Sequence, residues 1–193
     1  MKLPPFILAS TSPRRAELLG LLPVKFQIIA STATEVAHQH LSPREICQLN
    51  AHRKARDVAS KNPDALVMGA DTLVFLNRKI LGKPASLAAA EKMIFALQGK
   101  VHQVVTGVSL IHLRGSRKRS FSVSTLVRFH RLNRAQIRRY LSRINPLDKA
   151  GAYAVQQHGE LIIAEISGSF SNVVGLPVEA LRAELMAWSR SGH

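Results

Sequence analysis

The sequence predicts an α/β protein with a mixed, twisted sheet and flanking helices. Segments of helical period alternate along the chain with short apolar runs that are typical of strands. Two longer segments, Val101 to Leu113 and Ser120 to Phe129, alternate polar and apolar residues around Arg114-Gly115-Ser116, which is typical of paired antiparallel strands. The 193 residues, 46% of them hydrophobic, are enough to bury one substantial core, so we expect a single domain over residues 1–193.

The chain opens with a strand and a helix joined by a hydroxyl-rich loop. Phe6 to Ala9 predicts the strand, and Pro13 stands where a first helical residue is expected, with Ser12 as the N-cap. Arg14 and Arg15 follow in the first turn, where their charge opposes the helix dipole. Backbone N–H groups at a helix start and arginine side chains both bind anions, so this loop predicts an anion site. The alternative is a strand–turn–helix unit with solvated arginines.

A second strand and a longer helix follow. Phe26 to Ile29 predicts the strand, and a polar loop that contains Glu35 leads to Ser42-Pro43-Arg44-Glu45, a capping box with proline at the first helical position. The helix is expected to end near Ser60. Lys54 lies at the edge of its apolar face, where it either snorkels to solvent or points into a cleft.

The remaining elements follow from caps, turns and apolar runs. Ala65 to Ala70 predicts a buried strand that ends at Asp71. Asp71 would then lie at the carboxyl end of a strand, where open α/β sheets bind their ligands. We further expect a hairpin or a bent connection at Asn77-Arg78, a helix from Ser86 to Leu97, a basic helix from Asn133 to about Ile144, extended pieces at Tyr153 to Val155 and Leu161 to Ile166, and a last helix from Pro177 to about Trp188.

Composition limits the classes of function. The formal net charge is +15, from 27 Lys and Arg against 12 Asp and Glu, which favours polyanionic partners such as nucleotides, nucleic acids or acidic membranes. Cys47 is the only cysteine, so an internal disulfide and a cysteine-built zinc site are excluded, and a cytoplasmic location is expected. No run approaches the roughly 18 consecutive apolar residues of a membrane span, so we expect no membrane partner. The sequence also lacks the P-loop, the dinucleotide-binding glycine pattern and the serine-hydrolase elbow.

Two carboxylates and four cations form the candidate site. Asp71 follows the buried strand and Glu35 lies in the loop after the second strand, so both side chains are expected to face one cleft. Carboxylate oxygens are the ligands that Mg²⁺ prefers, and cations neutralise phosphate charge in a transition state. Together they predict polyphosphate chemistry, although each residue taken alone is better explained by a structural role or by solvation. The four cations are Arg14, Arg15, Lys54 and Lys83.

Five short motifs carry a family resemblance across nearly the whole chain. They are Leu8-Ala9-Ser10-Thr11-Ser12-Pro13-Arg14-Arg15, Gly69-Ala70-Asp71-Thr72, Leu81-Gly82-Lys83-Pro84, Asp148-Lys149-Ala150-Gly151-Ala152-Tyr153, and Gly168-Ser169 with Val174-Gly175-Leu176-Pro177. With these motifs the chain resembles the Maf family of nucleoside triphosphate pyrophosphatases, which are related in fold to the inosine triphosphate pyrophosphatases. The resemblance implies an elongated fold with two lobes around one substrate cleft, often as a homodimer.

The resemblance also implies the reaction and its residues. A nucleoside triphosphate is hydrolysed between its α and β phosphates with a divalent metal, Mg²⁺ or Mn²⁺. Asp71 becomes the catalytic residue, either as the base or as the group that positions the attacking water, and Glu35 and Asp71 become the metal ligands. The implied substrate-binding residues are Ser10, Arg14, Arg15, Lys54 and Lys83.

Substrate choice in the family is associated with three positions, occupied here by Arg14, Thr72 and Gln156. This combination resembles the subgroup that acts on dTTP and UTP, and modified pyrimidine nucleotides are included in the expectation. The amide of Gln156 matches the donor and acceptor edge of a uracil-type ring. The chain departs from the family's pattern at Thr34, where a second acid is frequent, and at Ala154 and Gln157, where glycines are common.

Two alternatives stay open. The first is a 7-methyl-GTP-type or purine-preferring pyrophosphatase of the same fold, which differs only in its base pocket. The second is a basic nucleic-acid-binding or cell-division regulatory protein that uses the stretch from Arg114 to Arg143, which lies outside the family's motifs. For that stretch we expect solvated charge rather than nucleic-acid recognition.

Overall fold

The computed structural model describes residues 3–36, 40–77 and 79–190, which form a mixed sheet flanked by helices. The strands are β1 (Phe6–Leu8), β2 (Phe26–Ile28), β3 (Leu66–Leu76), β4 (Lys79–Leu81), β5 (Val101–His112), β6 (Arg117–Phe129) and β7 (Ile163–Ser167). The helices are α1 (Pro13–Leu19), α2 (Pro43–Ala59), α3 (Leu87–Leu97), α4 (Arg134–Leu141), α5 (Phe170–Val174) and α6 (Val178–Arg190), and 3₁₀ turns cover Ala150–Ala152 and Gly159–Leu161. Neighbouring strands follow the order β2-β1-β3-β5-β6-β7, and β4 pairs with β3.

Both pairing directions occur, so the predicted mixed sheet is confirmed. β1 is parallel to β2 and to β3, with Phe6 opposite Phe26 and Leu66. β4 is antiparallel to β3, and β7 is antiparallel to β6. Because β1 and β2 run in the same direction, the loops that follow them leave from the same edge of the sheet. These loops carry Ser10 and Glu35.

The chain divides into two compact units. Unit 1 comprises residues 1–72, 106–123 and 175–193, and unit 2 comprises residues 73–105 and 124–174. The long strands β3, β5 and β6 contribute residues to both units. Across the part of the chain that the structure describes, no helix has the length and apolar character needed to cross a membrane.

In unit 1, α2 packs against the sheet at two glycines. A Cβ atom on Gly69 would overlap the backbone of Ala51 and lie 2.7 Å from the nitrogen of Ala55. A Cβ atom on Gly107 would lie 2.5 Å from the carbonyl oxygen of Cys47. Only glycine therefore allows the helix to approach the strands this closely. The core beneath the helix contains Ile7, Ala9, Ala55, Val58, Ala59, Ala65, Val67 and Ile111.

Unit 2 has a separate core, to which α3 and α4 contribute their apolar faces, including Ile94 and Ile137. Its centre is aromatic: His102, Phe129 and Tyr153 meet edge to face with ring centroids 4.8–5.4 Å apart. The Nε2 atom of His102 lies 2.8 Å from the hydroxyl of Tyr153. Burial lowers the pKa of His102 to about 4, so its ring is neutral at neutral pH.

The predicted end of the third strand at Asp71 is wrong. β3 continues to Leu76, so Asp71 lies inside a strand and not at its carboxyl end. After its parallel pairing with β1 through Met68, the strand pairs antiparallel with β4 from Val74 onward. This second pairing satisfies the backbone beyond Asp71 and overrides the local polar sequence.

Most other boundaries agree with the sequence to within three residues. The predicted capping box of α2 forms, because Ser42 Oγ accepts from the Glu45 amide at 3.3 Å and Glu45 Oε2 accepts from the Ser42 amide at 2.8 Å. Ser12 occupies the N-cap position of α1, but its side chain makes no capping hydrogen bond. The expected extended piece at Tyr153 to Val155 is not a strand, and α5 is a helix that the sequence pattern does not predict. Of the two connections expected at Asn77-Arg78, β3 and β4 form the hairpin, with Arg78 outside the described residues.

Candidate active site

One helix face and one strand residue form the centre of the candidate site, all within unit 1. Asn50 and Lys54 are one helical turn apart on α2 and therefore lie on the same face. Asn50 Nδ2 donates to Asp71 Oδ2 at 3.0 Å, and Lys54 Nζ donates to Asp71 Oδ1 at 2.7 Å. The Asp71 side chain is only 4% exposed, so these donors, and not bulk water, stabilise its charge. The close approach of α2 at Gly69 brings the donors within reach.

Lys54 is shared by two carboxylates. Its Nζ atom lies 2.6 Å from Glu35 Oε1 and 2.7 Å from Asp71 Oδ1. The side chain of Glu35 is 58% exposed, whereas that of Lys54 is 14% exposed. The ammonium group therefore links a buried carboxylate to an exposed one. Of the two orientations that the sequence leaves open for Lys54, the structure shows the one directed at the carboxylates.

Asn50 is a site residue that sequence reasoning missed. Its Oδ1 accepts from the amide of Val36 at 2.9 Å, and its Nδ2 donates to the Val36 carbonyl at 3.0 Å as well as to Asp71. One side chain thus ties Asp71 to the loop that carries Glu35. A signal was present in the sequence, because a polar residue beside Ala51 on an apolar helix face needs buried partners.

The loop that carries Glu35 is attached to α2 at two further points. Asp57 Oδ2 accepts from the Ser31 hydroxyl at 2.8 Å and from the Thr32 amide at 2.7 Å. These hydrogen bonds lower the pKa of Asp57 to about 2, so the carboxylate stays ionised and keeps both donors at neutral pH. Arg53 donates to the backbone carbonyl of Thr34 at 3.2 Å, which attaches the loop to α2 at a second point.

A guanidinium network around Arg15 forms the second part of the site in unit 1. Arg15 Nε donates to the Gly175 carbonyl at 3.1 Å, Nη1 to Ser10 Oγ at 3.3 Å, and Nη2 to Thr72 Oγ1 at 3.1 Å. The Thr72 hydroxyl also lies 2.9 Å from the hydroxyl of Thr106. The network joins the first loop of the chain to the strand residue that follows Asp71.

Electrostatics link this network to the carboxylates. Burial lowers the pKa of Arg15 below the ordinary arginine value, while the charges of Asp71 and Glu35 oppose that shift. Arginine nevertheless stays protonated at neutral pH, so Arg15 is a fixed cation beside two carboxylates. Arg14 is half-buried next to it in α1 and adds to the positive charge. An anionic group such as a phosphate fits this side of the site.

The structure gathers most of the predicted residues in unit 1. The gathered residues are Ser10, Arg14, Arg15, Glu35, Lys54, Asp71 and Thr72. Lys83 and Gln156 belong to unit 2, where both side chains are exposed on irregular segments. Sequence reasoning also missed two members of the guanidinium network. They are the backbone carbonyl of Gly175 and the side-chain hydroxyl of Thr106.

The carboxylates fit a hard divalent cation that also binds substrate oxygens. Glu35 and Asp71 each direct an oxygen at the Lys54 Nζ atom, so two anionic oxygen donors face one cationic position, which the ammonium group occupies in this structure. Mg²⁺ is commonly held by one or two carboxylates together with waters and substrate phosphates. Over residues 3–36, 40–77 and 79–190, no group of three or more His, Cys, Asp or Glu side chains could hold a metal. Two carboxylates suit an ion of this kind when phosphate oxygens and waters complete its coordination.

A protein-family model decides the relationship of this chain. The model, described as Maf-like protein, matches residues 5–188. The chain belongs to the Maf family. The match extends from the residue before β1 into α6, so it includes every residue of the site described above.

Three similar proteins share the name dTTP/UTP pyrophosphatase. The chain is 46% identical to the dTTP/UTP pyrophosphatase of Bacillus velezensis over 172 residues, which cover 89% of this chain and 90% of the relative. It is 43% identical to the dTTP/UTP pyrophosphatase of Akkermansia muciniphila over 176 residues, covering 91% and 92%. It is 44% identical to that of Moorella thermoacetica over 181 residues, covering 94% and 93%. The similarity therefore spans nearly the full length of this chain and of each relative.

Proposed function

We propose that this Maf-family protein is a nucleoside triphosphate pyrophosphatase that hydrolyses dTTP and UTP, and modified pyrimidine nucleotides, to the monophosphate and pyrophosphate. Relatives that are 43–46% identical over about nine-tenths of the chain are named dTTP/UTP pyrophosphatase. The bond broken lies between the α and β phosphates, with water as the nucleophile and pyrophosphate as the leaving group.

The observation that carries the proposal is the arrangement of Lys54 between Glu35 and Asp71. The Lys54 ammonium group lies within direct hydrogen-bonding distance of a buried carboxylate, Asp71, and of an exposed one, Glu35. Phosphoryl transfer needs a general base that activates the attacking water and a cation that neutralises the charge on the phosphate oxygens. This set of side chains supplies both. Asn50 fixes the orientation of Asp71 in advance, which preorganises the site.

The proposed mechanism gives each residue of the site one role. Asp71 accepts a proton from the attacking water at a carboxylate oxygen, or holds that water in line with the phosphorus. Lys54 and Arg14 neutralise the charge that develops on the phosphate oxygens. Arg15 orders Ser10 and Thr72, to which it already donates. Glu35 and Asp71 would hold Mg²⁺ or Mn²⁺, which supplies charge neutralisation at the phosphates when bound.

Substrate choice is assigned to Gln156, Thr72 and Arg14. The Gln156 amide is exposed and can donate to and accept from the edge of a uracil-type ring. Lys83 is proposed to contact the phosphate chain as a further cation. A homodimer and a cytoplasmic location are also proposed, the first on the family resemblance and the second on the lone cysteine.

The test is pyrophosphate release from a panel of nucleoside triphosphates with Mg²⁺ or Mn²⁺. The panel contains dTTP, UTP, CTP, ATP, GTP, 7-methyl-GTP and a 5-modified UTP, and it compares wild type with Asp71→Asn. We expect turnover of dTTP and UTP that is lost in the variant while nucleotide binding persists. The matched control is Asp64→Asn, an exposed carboxylate that pairs with Arg114 away from these residues.

The other outcomes separate the alternatives. Turnover mainly of a guanine nucleotide keeps the reaction and contradicts the assignment of Gln156. Turnover that survives in Asp71→Asn contradicts the role of Asp71. No turnover of any nucleotide contradicts the proposed function, and a steeply salt-dependent affinity for DNA or RNA that Asp71→Asn leaves unchanged would then favour the nucleic-acid-binding alternative.

A further inference from the structure

Within unit 2, the backbone just before Gln156 is held by a single buried side chain. Tyr140 lies on the inner face of α4 and is fully buried. Its hydroxyl accepts from the Ala154 amide at 2.9 Å and donates to the Ala154 carbonyl at 3.2 Å. Tyr140 thus satisfies both backbone polar groups of a residue two positions before Gln156. The Gln156 side chain itself is exposed.

The segment that leads to Ala154 has a backbone conformation that needs such anchoring. Gly151 and Ala152 have positive φ values of 72° and 65°, and Ala152 carries a side chain that disfavours this region. Residues of this kind persist only where their surroundings fix them. At the start of this segment, the Gly151 amide donates to the carbonyl of Gly82 at 3.1 Å, next to Lys83 in the chain. The segment is therefore anchored at both ends.

The hydroxyl of Tyr140 is suited to this role over a wide pH range. Burial raises the pKa of Tyr140 to about 12, so the hydroxyl proton remains available to the Ala154 carbonyl. Ala154 is itself buried, and buried backbone groups are rarely left unpaired. Without the hydroxyl, the amide and carbonyl of Ala154 would have to find other partners, and the turn that carries Gln156 would shift.

We propose that Tyr140 is a positioning residue for substrate choice, which acts by fixing the Ala154 backbone and so the direction in which Gln156 meets the base. The inference rests on the proposed function and on Gln156 as its base-reading residue. Cytosine presents a different pattern of donors and acceptors from uracil, so a displaced amide discriminates between them less well. The reacting groups Asp71 and Lys54 belong to unit 1, so loss of the hydroxyl acts on KM and selectivity rather than on kcat.

The test compares three single variants and one double variant by pyrophosphate release from UTP, dTTP and CTP. Tyr140→Phe is expected to lower the ratio of kcat/KM for UTP over CTP by about tenfold, mainly through a higher KM for UTP. Tyr153→Phe is the matched control, because it also removes a buried hydroxyl but one that contacts His102 rather than the backbone. It should keep the wild-type ratio. In a Gln156→Ala background, Tyr140→Phe should change the ratio no further, since the two residues act as one unit.

Three results would overturn the inference: wild-type selectivity in Tyr140→Phe, an equal loss in Tyr153→Phe, or an undiminished effect of Tyr140→Phe in the Gln156→Ala background. If Tyr140→Phe does not fold, para-aminophenylalanine at position 140 replaces it, because its amino group can still donate to the Ala154 carbonyl. That variant must then retain at least part of the selectivity, and full loss contradicts the inference. A wild-type enzyme without activity on dTTP or UTP contradicts the proposed function instead.

Discussion

Asp71 carries its charge inside a strand, where bulk water does not reach it. A buried carboxylate without partners becomes protonated or destabilises the fold. Asn50 and Lys54 each donate to one of its oxygens, which leaves further lone pairs on both for a water or a cation. The same two residues that stabilise the charge thus leave it available for chemistry.

Asn50 both stabilises the fold and orients Asp71, and removal of its amide should affect the two properties in measurable and separate ways. In Asn50→Leu, one oxygen of Asp71 and both backbone groups of Val36 lose their partner, so we expect a loss of about 1–3 kcal/mol in the free energy of unfolding. The Asp71 carboxylate keeps only its contact with Lys54 and is oriented less firmly, so kcat should fall by about tenfold to a hundredfold. Chemical unfolding and steady-state pyrophosphate release measure the two effects.

Asn62→Leu is the matched control for Asn50→Leu. The Asn62 amide also donates to a backbone carbonyl, that of Val58, at 2.9 Å. Its removal should lower stability without lowering kcat. An Asn50→Leu enzyme with wild-type kcat would show that Asp71 keeps its orientation through Lys54 alone.

His102 makes the stability of unit 2 depend on pH. Its pKa is lowered to about 4 by burial, against an ordinary value of 6.5. Above pH 6.5 the ring is neutral in both the folded and the unfolded chain, so its titration does not change the free energy of unfolding. As the pH falls from 6.5 to 4, the unfolded chain takes up the proton first, so stability falls by up to about 3 kcal/mol and levels off below pH 4.

The change His102→Gln should remove this part of the pH dependence. The readout is the difference in unfolding free energy between pH 7 and pH 4.5, measured for wild type and variant with guanidinium chloride. Wild type should lose more stability than His102→Gln over this interval, whatever the absolute stability of the variant. An equal loss in both proteins would show that the folded protein protonates His102 without penalty.

At the scale of elements, α2 is the part of the fold that assembles the site. Successive turns of its inward face present Asn50, Lys54 and Asp57, which bind Asp71, Glu35 and the loop at Ser31 and Thr32. The capping box fixes where the helix begins, and the glycines of β3 and β5 fix how closely it approaches. The distances in the site therefore depend on the packing of one helix on one sheet.

Gly69→Ala should disrupt that packing. The added methyl group would meet the backbone of Ala51 and Ala55, which cannot rotate away, so α2 has to move. We expect a loss of about 1–3 kcal/mol in unfolding free energy. Because the movement takes Asn50 and Lys54 away from Asp71, kcat should fall as well. Thermal melting and pyrophosphate release check the two effects.

Gly159→Ala is the matched control, because it adds the same methyl group at a glycine where there is space for it. A Cβ atom there would lie 3.5 Å from its nearest neighbour, the Cδ1 atom of Ile163, which is ordinary contact. Its melting temperature should stay close to that of wild type. A Gly69→Ala protein that is as stable and as active as wild type would contradict the close-packing account of α2.

At the scale of the whole molecule, the charge of +15 is only partly balanced by local ion pairs. Within the stretch from Arg114 to Arg143, several arginines pair with exposed or half-exposed acids, and Arg117 lies 4.3 Å from the ring centre of Trp188. Such surface pairs contribute about 1 kcal/mol or less each. Our expectation that this stretch is solvated rather than a nucleic-acid interface stays a prediction. The paired arginines are Arg114, Arg119, Arg128 and Arg138.

The excess positive charge should assist capture of an anionic nucleotide. Between about 0.1 M and 1 M salt the screening length falls from about 10 Å to about 3 Å, so long-range attraction is largely removed. We expect the KM for UTP to rise several-fold over this range while kcat changes little, because the site itself is closely packed. Assays in NaCl, with an uncharged osmolyte as control, measure this. A KM that is independent of salt would show that only short-range contacts bind the substrate.

Much of the architecture could be predicted because its signals are local. Capping residues and proline mark the beginning of α2, and alternation marks β5 and β6, each within a short window of sequence. The motifs around Ser10, Asp71 and Lys83 likewise indicate the family, because each is a contiguous run of residues that can be read without tertiary contacts. Asn50 was missed because its role depends on two partners far away in sequence, Val36 and Asp71.

The sequence by itself determined most of the element order, the mixed sheet and the family, because local periodicity, caps and contiguous motifs are properties of neighbouring residues. Only the tertiary structure decided that β3 continues through Asp71, that Lys54 joins two carboxylates, and that Arg15 is bound by Ser10, Thr72 and the Gly175 carbonyl. These features depend on strand pairing and on the approach of α2 at Gly69. Both are set by the packing of segments that are distant in the chain, and no local pattern encodes them.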